Sequence, residues 1–142
     1  MKLVLVAIHI EPSPRALPLG PAMLASALRV AFGEGLQVRV LEAFVAEPAA
    51  DVAARILASD PDLVGFSMYV WNRSQTLAIA TLLKALKPGL GIFAGGAEAT
   101  ADAAGVLAEP CVDFVLPGEG EGIVVEAMRR LLEGAGMPAI LA

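Results

Sequence analysis

Ser67, Tyr69, Trp71 and Asn72 fall together in one short segment, and Tyr69 and Trp71 are the chain's only tyrosine and tryptophan. Hydroxyls, an indole and an amide in one place form a set that can hydrogen-bond and stack on a ligand; packing of the two aromatics is the alternative use. Gly95-Gly96 follows within thirty residues. Two adjacent glycines let a ligand lie against bare backbone, or simply make a tight turn. Gly118-Glu119-Gly120-Glu121-Gly122 is the third unusual segment. It has the look of a dinucleotide fingerprint, but Ile123 stands where the third glycine of that fingerprint belongs. Two carboxylates there favour a helix N-terminus and repel a pyrophosphate, so Glu119 and Glu121 suit hydroxyl, amide or cationic partners.

Other chemistries are excluded by what is missing. The sole histidine, His9, has no Asp two residues before it to fix its tautomer, so a structural or surface role is expected of it. There is no Ser-His-Asp set, no Walker loop, no nucleophile elbow and no acidic cluster of the phosphorylated-receiver kind. One cysteine, Cys111, supports neither an internal disulfide nor a thiolate metal site, which fits a reducing, cytoplasmic compartment. A net charge of −5 with scattered basic residues argues against nucleic acid. The 57% hydrophobic content is carried by short runs and many alanines, without a membrane-spanning stretch, so it points to a sheet buried on both faces.

The elements that position these segments alternate regularly. Lys2–Ile8, Leu36–Ala43, Asp62–Ser67, Leu90–Ala94 and Asp113–Leu116 read as short apolar strands. Between and after them, Leu19–Phe32, Pro48–Ala58, a helix following Asn72, Ala99–Leu107 and Glu121–Leu132 read as helices. Their predicted inward stripes are Leu24, Leu28 and Phe32; Val52, Ile56 and Leu57; Ile79, Leu82, Leu83 and Leu86; and Val124, Val125, Met128 and Leu131. Asn72 and Gln75 stand at capping-box spacing ahead of the third helix. Five βα units with short links predict a single α/β domain: a doubly wound, flavodoxin-like (Rossmann-like) parallel sheet of order 2-1-3-4-5 with helices on both faces. In that architecture a ligand sits outside the carboxyl ends of the strands. The loops to watch are therefore His9–Pro18, Ser67–Asn72, Ala94–Thr100 and Pro117–Gly122.

Three blocks of sequence, Gly65-Phe66-Ser67-Met68-Tyr69-Val70-Trp71-Asn72, Gly95-Gly96-Ala97-Glu98-Ala99-Thr100 and Asp113-Phe114-Val115-Leu116-Pro117-Gly118-Glu119-Gly120-Glu121, stand in order. Together they resemble the N-terminal cobalamin-binding domain of B12-dependent radical SAM proteins, where the blocks commonly read GFS-x-Y-x-WN, GGPE and D-(F/Y)-V-x-x-GEGE. Ala97 replaces the proline of the second block. The resemblance implies a corrinoid held at the C-terminal edge of the sheet by Ser67, Tyr69, Trp71, Asn72, Gly95, Gly96, Ala97, Glu98, Gly118, Glu119 and Gly120. In it the dimethylbenzimidazole tail enters beside Ser67 and the two glycines. The D-x-H-x-x-G loop that supplies a lower cobalt ligand elsewhere is here Ala7-Ile8-His9-Ile10-Glu11-Pro12, so the resemblance implies cobalt without a protein histidine and no metal ligand in this chain.

A lone cysteine cannot bind the [4Fe-4S] cluster that cleaves S-adenosylmethionine. Residues 1–134 are thus expected to be a cobalamin-binding module, and 135–142 the start of a linker to an absent C-terminal radical SAM domain of methyltransferase or tetrapyrrole cyclase type. The chain by itself is expected to bind rather than catalyse. The alternative is a stand-alone flavodoxin-like binding or interaction module without cobalamin.

Overall fold

The computed structural model describes residues 1–137. Five parallel strands form one sheet: β1 (Lys2–His9), β2 (Gln37–Phe44), β3 (Leu63–Ser67), β4 (Gly91–Gly95) and β5 (Phe114–Leu116). Their order is β2-β1-β3-β4-β5, as the alternation of the sequence predicts. The helices are α1 (Leu19–Phe32), α2 (Ala49–Leu57), α3 (Arg73–Leu86), α4 (Ala97–Ala101), α5 (Ala103–Leu107) and α6 (Gly120–Leu132), with a 3-10 turn at Gly33–Gly35.

Strand alternation divides the core into two layers. Val4, Val6, Ile8, Val64, Phe66, Met68, Ile92 and Ala94 pack against α2, α3, α4 and α5 on one face. Leu3, Leu5, Leu63, Phe93, Phe114 and Leu116 pack against α1 and α6 on the other. Each Val, Leu, Ile, Phe or Met among them contributes about 1.5–3 kcal/mol relative to exposure, which is why so small a sheet holds its strands in a single register.

Three expectations are corrected. The predicted helix Ala99–Leu107 is two helices, because Asp102 leaves helical geometry (φ −134°, ψ 52°) and its carboxylate instead accepts the Gly105 N–H, capping α5. Leu86 is 66% exposed, and Thr76, Ile79, Ala80 and Leu83 form the buried stripe of α3. Asn72 and Gln75 form no capping box. Asn72 is fully buried and bonds to the strand ends, while Gln75 donates to the Glu47 carbonyl. The remaining stripes hold their inward faces, with Leu24, Phe32, Leu57, Val125 and Leu131 partly buried at the margins. At the opposite end of the sheet, Lys84 donates to Asp113 (2.7 Å), whose carboxylate also accepts the Ile92 N–H. Met137 lies against Gly91 at the start of β4. Of the expected linker, residues 138–142 lie outside the described residues.

Candidate functional site

β1 and β3 are neighbours, yet β1 leads to a helix on one face and β3 to a helix on the other. The two chains therefore part at their carboxyl ends and leave a crevice. Two registered rows of residues on the α1/α6 face determine its depth. The upper row runs Ala7, Ser67, Gly95, Leu116, and the row beneath runs Leu5, Gly65, Phe93, Phe114. Small residues in the upper row leave space above the sheet, and Gly65 lets the Phe93 ring lie across β3. A Cβ on Gly65 would collide with that ring. Phe93 also stacks on Phe114 at 5.0 Å. The result is a slot of about 200 Å³ with an apolar floor. Its walls are the starts of α1 (Gly20, Pro21, Leu24) and α6 (Gly118 to Glu121).

A second, wider trough of about 480 Å³ joins the first. It runs under the loop between β1 and α1 and is bounded by His9, Arg15, Leu17 and Trp71. Gly20, Pro21, Ser67 and Tyr69 line both, so they form the passage between them. At Gly20 a side chain would sit 3.8 Å from the Ser67 hydroxyl, within that passage.

The structure sorts the predicted site residues into distinct groups. Ser67, Tyr69, Gly95, Gly96, Gly118, Glu119 and Gly120 line the slot. Trp71 lines the trough and stacks on Tyr69 with centroids 4.5 Å apart and planes 3° from parallel. It stays 47% exposed, so the pair forms an aromatic shelf at the mouth and not part of the core. Asn72 lies beneath the shelf. Its amide donates to the carbonyls of Ile8 and Ser67 (3.1 Å each) and accepts the Tyr69 N–H (2.9 Å), tying β1 to β3 where they diverge. Ala97 is exposed at the start of α4, and neither it nor Glu98 lines either cavity. Glu98 and Asp102 both accept from Arg73 Nη1 at 2.8 Å, a clip that joins α3 to α4 and α5. Those bonds, Glu98 first, hold the Arg73 guanidinium above its ordinary pKa, and Arg73 lowers that of Asp102.

The two adjacent glycines differ. Gly96 has φ +96°, and a Cβ there would lie 2.8 Å from the Met68 carbonyl oxygen and 3.1 Å from its nitrogen. The Met68 backbone is itself engaged, donating to the Gly95 carbonyl (2.7 Å) and accepting from the Glu98 N–H (3.1 Å). The missing side chain of Gly96 thus makes room for protein. That of Gly95 would meet only Leu116, its carbonyl oxygen at 3.4 Å and its Cβ at 3.9 Å, beside the slot.

Sequence reasoning missed Leu5, Gly20, Phe93 and Leu116 as slot walls, and Thr100 as a latch. The Thr100 hydroxyl donates to the Gly96 carbonyl (2.8 Å) and accepts the Gly118 N–H (2.9 Å), joining the loops after β4 and β5. Strand alternation, once registered, would have found Leu5, Phe93 and Leu116; Gly20, in α1, lies outside its reach. No signal in the chain singles out Thr100.

Glu119 and Glu121 face the slot, and Arg15 lines the trough. His9 Nε2 lies 2.9 Å from a Glu42 carboxylate oxygen on β2, and its ring packs near Phe44. Among the described residues no three His, Cys, Asp or Glu side chains gather into a metal site.

A parallel sheet of this order, with an apolar slot and an aromatic shelf at the divergence of β1 and β3, defines a flavodoxin-like ligand-binding module. Residues 6–128 match the B12 binding domain family, and the chain belongs to that family. It is 36% identical over 105 residues to the 2-(S-pantetheinyl)-carbapenam-3-carboxylate methyltransferase of Streptantibioticus cattleyicolor, covering 73% of this chain and 14% of that protein. It is 35% identical over 91 residues to the cobalamin-dependent radical SAM methyltransferase TokK of Streptomyces tokunonensis, covering 63% of this chain and 12% of that one. The chain thus spans about an eighth of either relative's length. Among solved structures, 96% of the chain overlays 27% of the radical S-adenosylmethionine methyltransferase TsrM of Kitasatospora setae (TM-score 0.73, 21% identity). A cobalamin-binding protein of Desulfitobacterium hafniense shares the fold over 91% of this chain and 57% of its own, at TM-score 0.66 and 18% identity.

Proposed function

We propose that this chain is the cobalamin-holding module of a larger radical SAM enzyme, a methyltransferase in the reading its relatives favour. The observation that carries this is the slot itself. At about 200 Å³ it has room for a bicyclic aromatic ring, and its floor of Leu5, Gly65 and Phe93 is apolar where such a ring would lie. A side chain at Gly20 or Gly95 would enter the same space. The slot's 200 Å³ would not hold a macrocycle, whereas the trough beside it is larger, about 480 Å³, and carries the aromatic shelf. Tail in the slot and corrin over the trough is the arrangement these residues fit.

Bound cobalamin would supply the cobalt on which methyl-transfer chemistry depends. This chain's residues bind and orient it: Ser67 offers a hydroxyl at the passage, Tyr69 and Trp71 an apolar platform, and Glu119 and Glu121 acceptors for hydroxyl or amide hydrogens. The ligand partner is the corrinoid, and the protein partner is the C-terminal radical SAM domain of the parent chain, which would bring S-adenosylmethionine and the [4Fe-4S] cluster. No described helix is long and apolar enough to cross a membrane. The single cysteine supports a reducing, cytoplasmic setting.

Titration of the purified chain with hydroxocobalamin and methylcobalamin, read by the visible spectrum and by cofactor recovered after gel filtration, tests the proposal. Retained corrinoid without the spectral signature of nitrogen coordination is the expected result. No binding at high micromolar cofactor would sink it in favour of a flavodoxin-like interaction module.

A further inference from the structure

Charge along the C-terminal edge of the sheet is lopsided. Glu119 and Glu121 line the slot, and Glu11 lines the trough. Among the described residues Arg15 is the only Lys or Arg that lines either cavity. The other cations of this edge are occupied: Arg55 pairs with Glu47, and Arg73 with Glu98 and Asp102. Among the described residues Arg15 makes no ion pair, although Glu11 borders the same trough.

The loop that carries Arg15 is built to hold it. Pro12, Pro14 and Pro18 restrict the backbone around it. The Ser13 hydroxyl accepts the Arg15 N–H at 3.2 Å, and the Ser13 carbonyl accepts the Ala16 N–H at 3.0 Å. On such a turn the backbone that carries the guanidinium has little freedom left to lose when an anion arrives, and the planar guanidinium matches a phosphate with two parallel hydrogen bonds.

We propose that Arg15 anchors the anionic phosphodiester of the corrinoid's nucleotide tail, an inference that rests on the cobalamin reading above. It assigns a direction to the ligand. The ring end of the tail lies in the slot between the carboxylates of α6 and the start of α1. The phosphodiester leaves through the passage at Gly20, Ser67 and Tyr69 toward Arg15, away from Glu119 and Glu121. Like charge closes one exit, and Arg15, unpaired among the described residues, marks the other.

Two corrinoids separate the anchor from the rest of the site: hydroxocobalamin carries the phosphodiester and tail, and diaquacobinamide carries neither. Arg15→Gln is expected to weaken hydroxocobalamin binding about tenfold, with Arg15→Lys recovering part of it and the affinity for diaquacobinamide unchanged from wild type. Arg15 is exposed in a loop, so circular dichroism of both variants should overlay the wild type. Wild-type binding of hydroxocobalamin with no loss in Arg15→Gln, or an equal loss for both corrinoids, overturns the anchor alone. Failure of the wild type to bind hydroxocobalamin overturns the cobalamin reading and the anchor with it.

Discussion

The two faces of this sheet are made from the same strands, read at alternate residues, and they do opposite things. At the carboxyl ends of β3 and β4, the α2/α3 face carries Phe66, Met68 and Ala94, which are buried. At the same height the α1/α6 face carries Gly65, Ser67 and Gly95, and there the sheet opens into the slot. A packed layer fixes the strands, so the neighbouring layer can leave space without the fold collapsing into it. Scaffold and site are thus separated by the side-chain period of a strand and not by position along the chain.

Gly95 and Gly96 straddle that division, and substituting each in turn sharpens it. Gly96→Val should cost about 2–4 kcal/mol, because it places a β-branched residue at φ +96° and drives a Cβ into the Met68 backbone. A melting temperature within a degree or two of wild type would show that the Gly96 turn is not part of the scaffold. Gly95→Val should leave melting within about 1 kcal/mol of wild type, since β4 tolerates a β-branched residue and the nearest atom is at 3.4 Å. The same change should cut corrinoid affinity at least tenfold by filling the slot. If Gly95→Val binds hydroxocobalamin as wild type does, the slot is not where the tail lies.

A smaller effect concerns the clip that fastens α4 and α5 to α3. Arg73 holds the Asp102 carboxyl below its ordinary value, so this pair contributes stability above pH 4, and the contribution is lost as pH falls through the lowered value. Asp102 is exposed, which keeps the effect small. Asp102→Asn can keep the α5 cap through its amide oxygen, and it removes the charge together with the oxygen that accepts from Arg73. Its melting temperature should lie slightly below wild type at pH 6 and converge with it near pH 2. A difference that persists at pH 2 would mean that the cap, and not the charge, had been disturbed.

Much of this arrangement was legible in the residues. Continuous apolar strands such as Leu3 to Ile8 marked a sheet covered on both faces, and the strict βα alternation left the order 2-1-3-4-5 as the natural topology. Ser67, Tyr69, Gly95 and the Gly118 to Gly120 turn stood out by type and spacing, because they bring hydroxyls, bare backbone and a carboxylate to loops at the carboxyl ends of the strands. Local spacing also misled. Asn72 and Gln75 look like a cap in one dimension, but the divergence of β1 and β3 gives the Asn72 amide better partners in Ile8 and Ser67. Ala99 to Leu107 looks like one helix until Asp102 is offered Gly105 and Arg73 together.

The sequence alone determined the elements, their order and the edge at which a ligand belongs, because those follow from periodicity and chain connectivity. Only the tertiary structure decided that Gly96 serves the Met68 backbone while Gly95 borders the slot, that Thr100 latches two loops, and that Arg15 stands unpaired over the trough. Each of these depends on which atoms from distant strands arrive at the same few ångströms, and that is set by sheet register and loop path, which the spacing of residues along a chain does not encode.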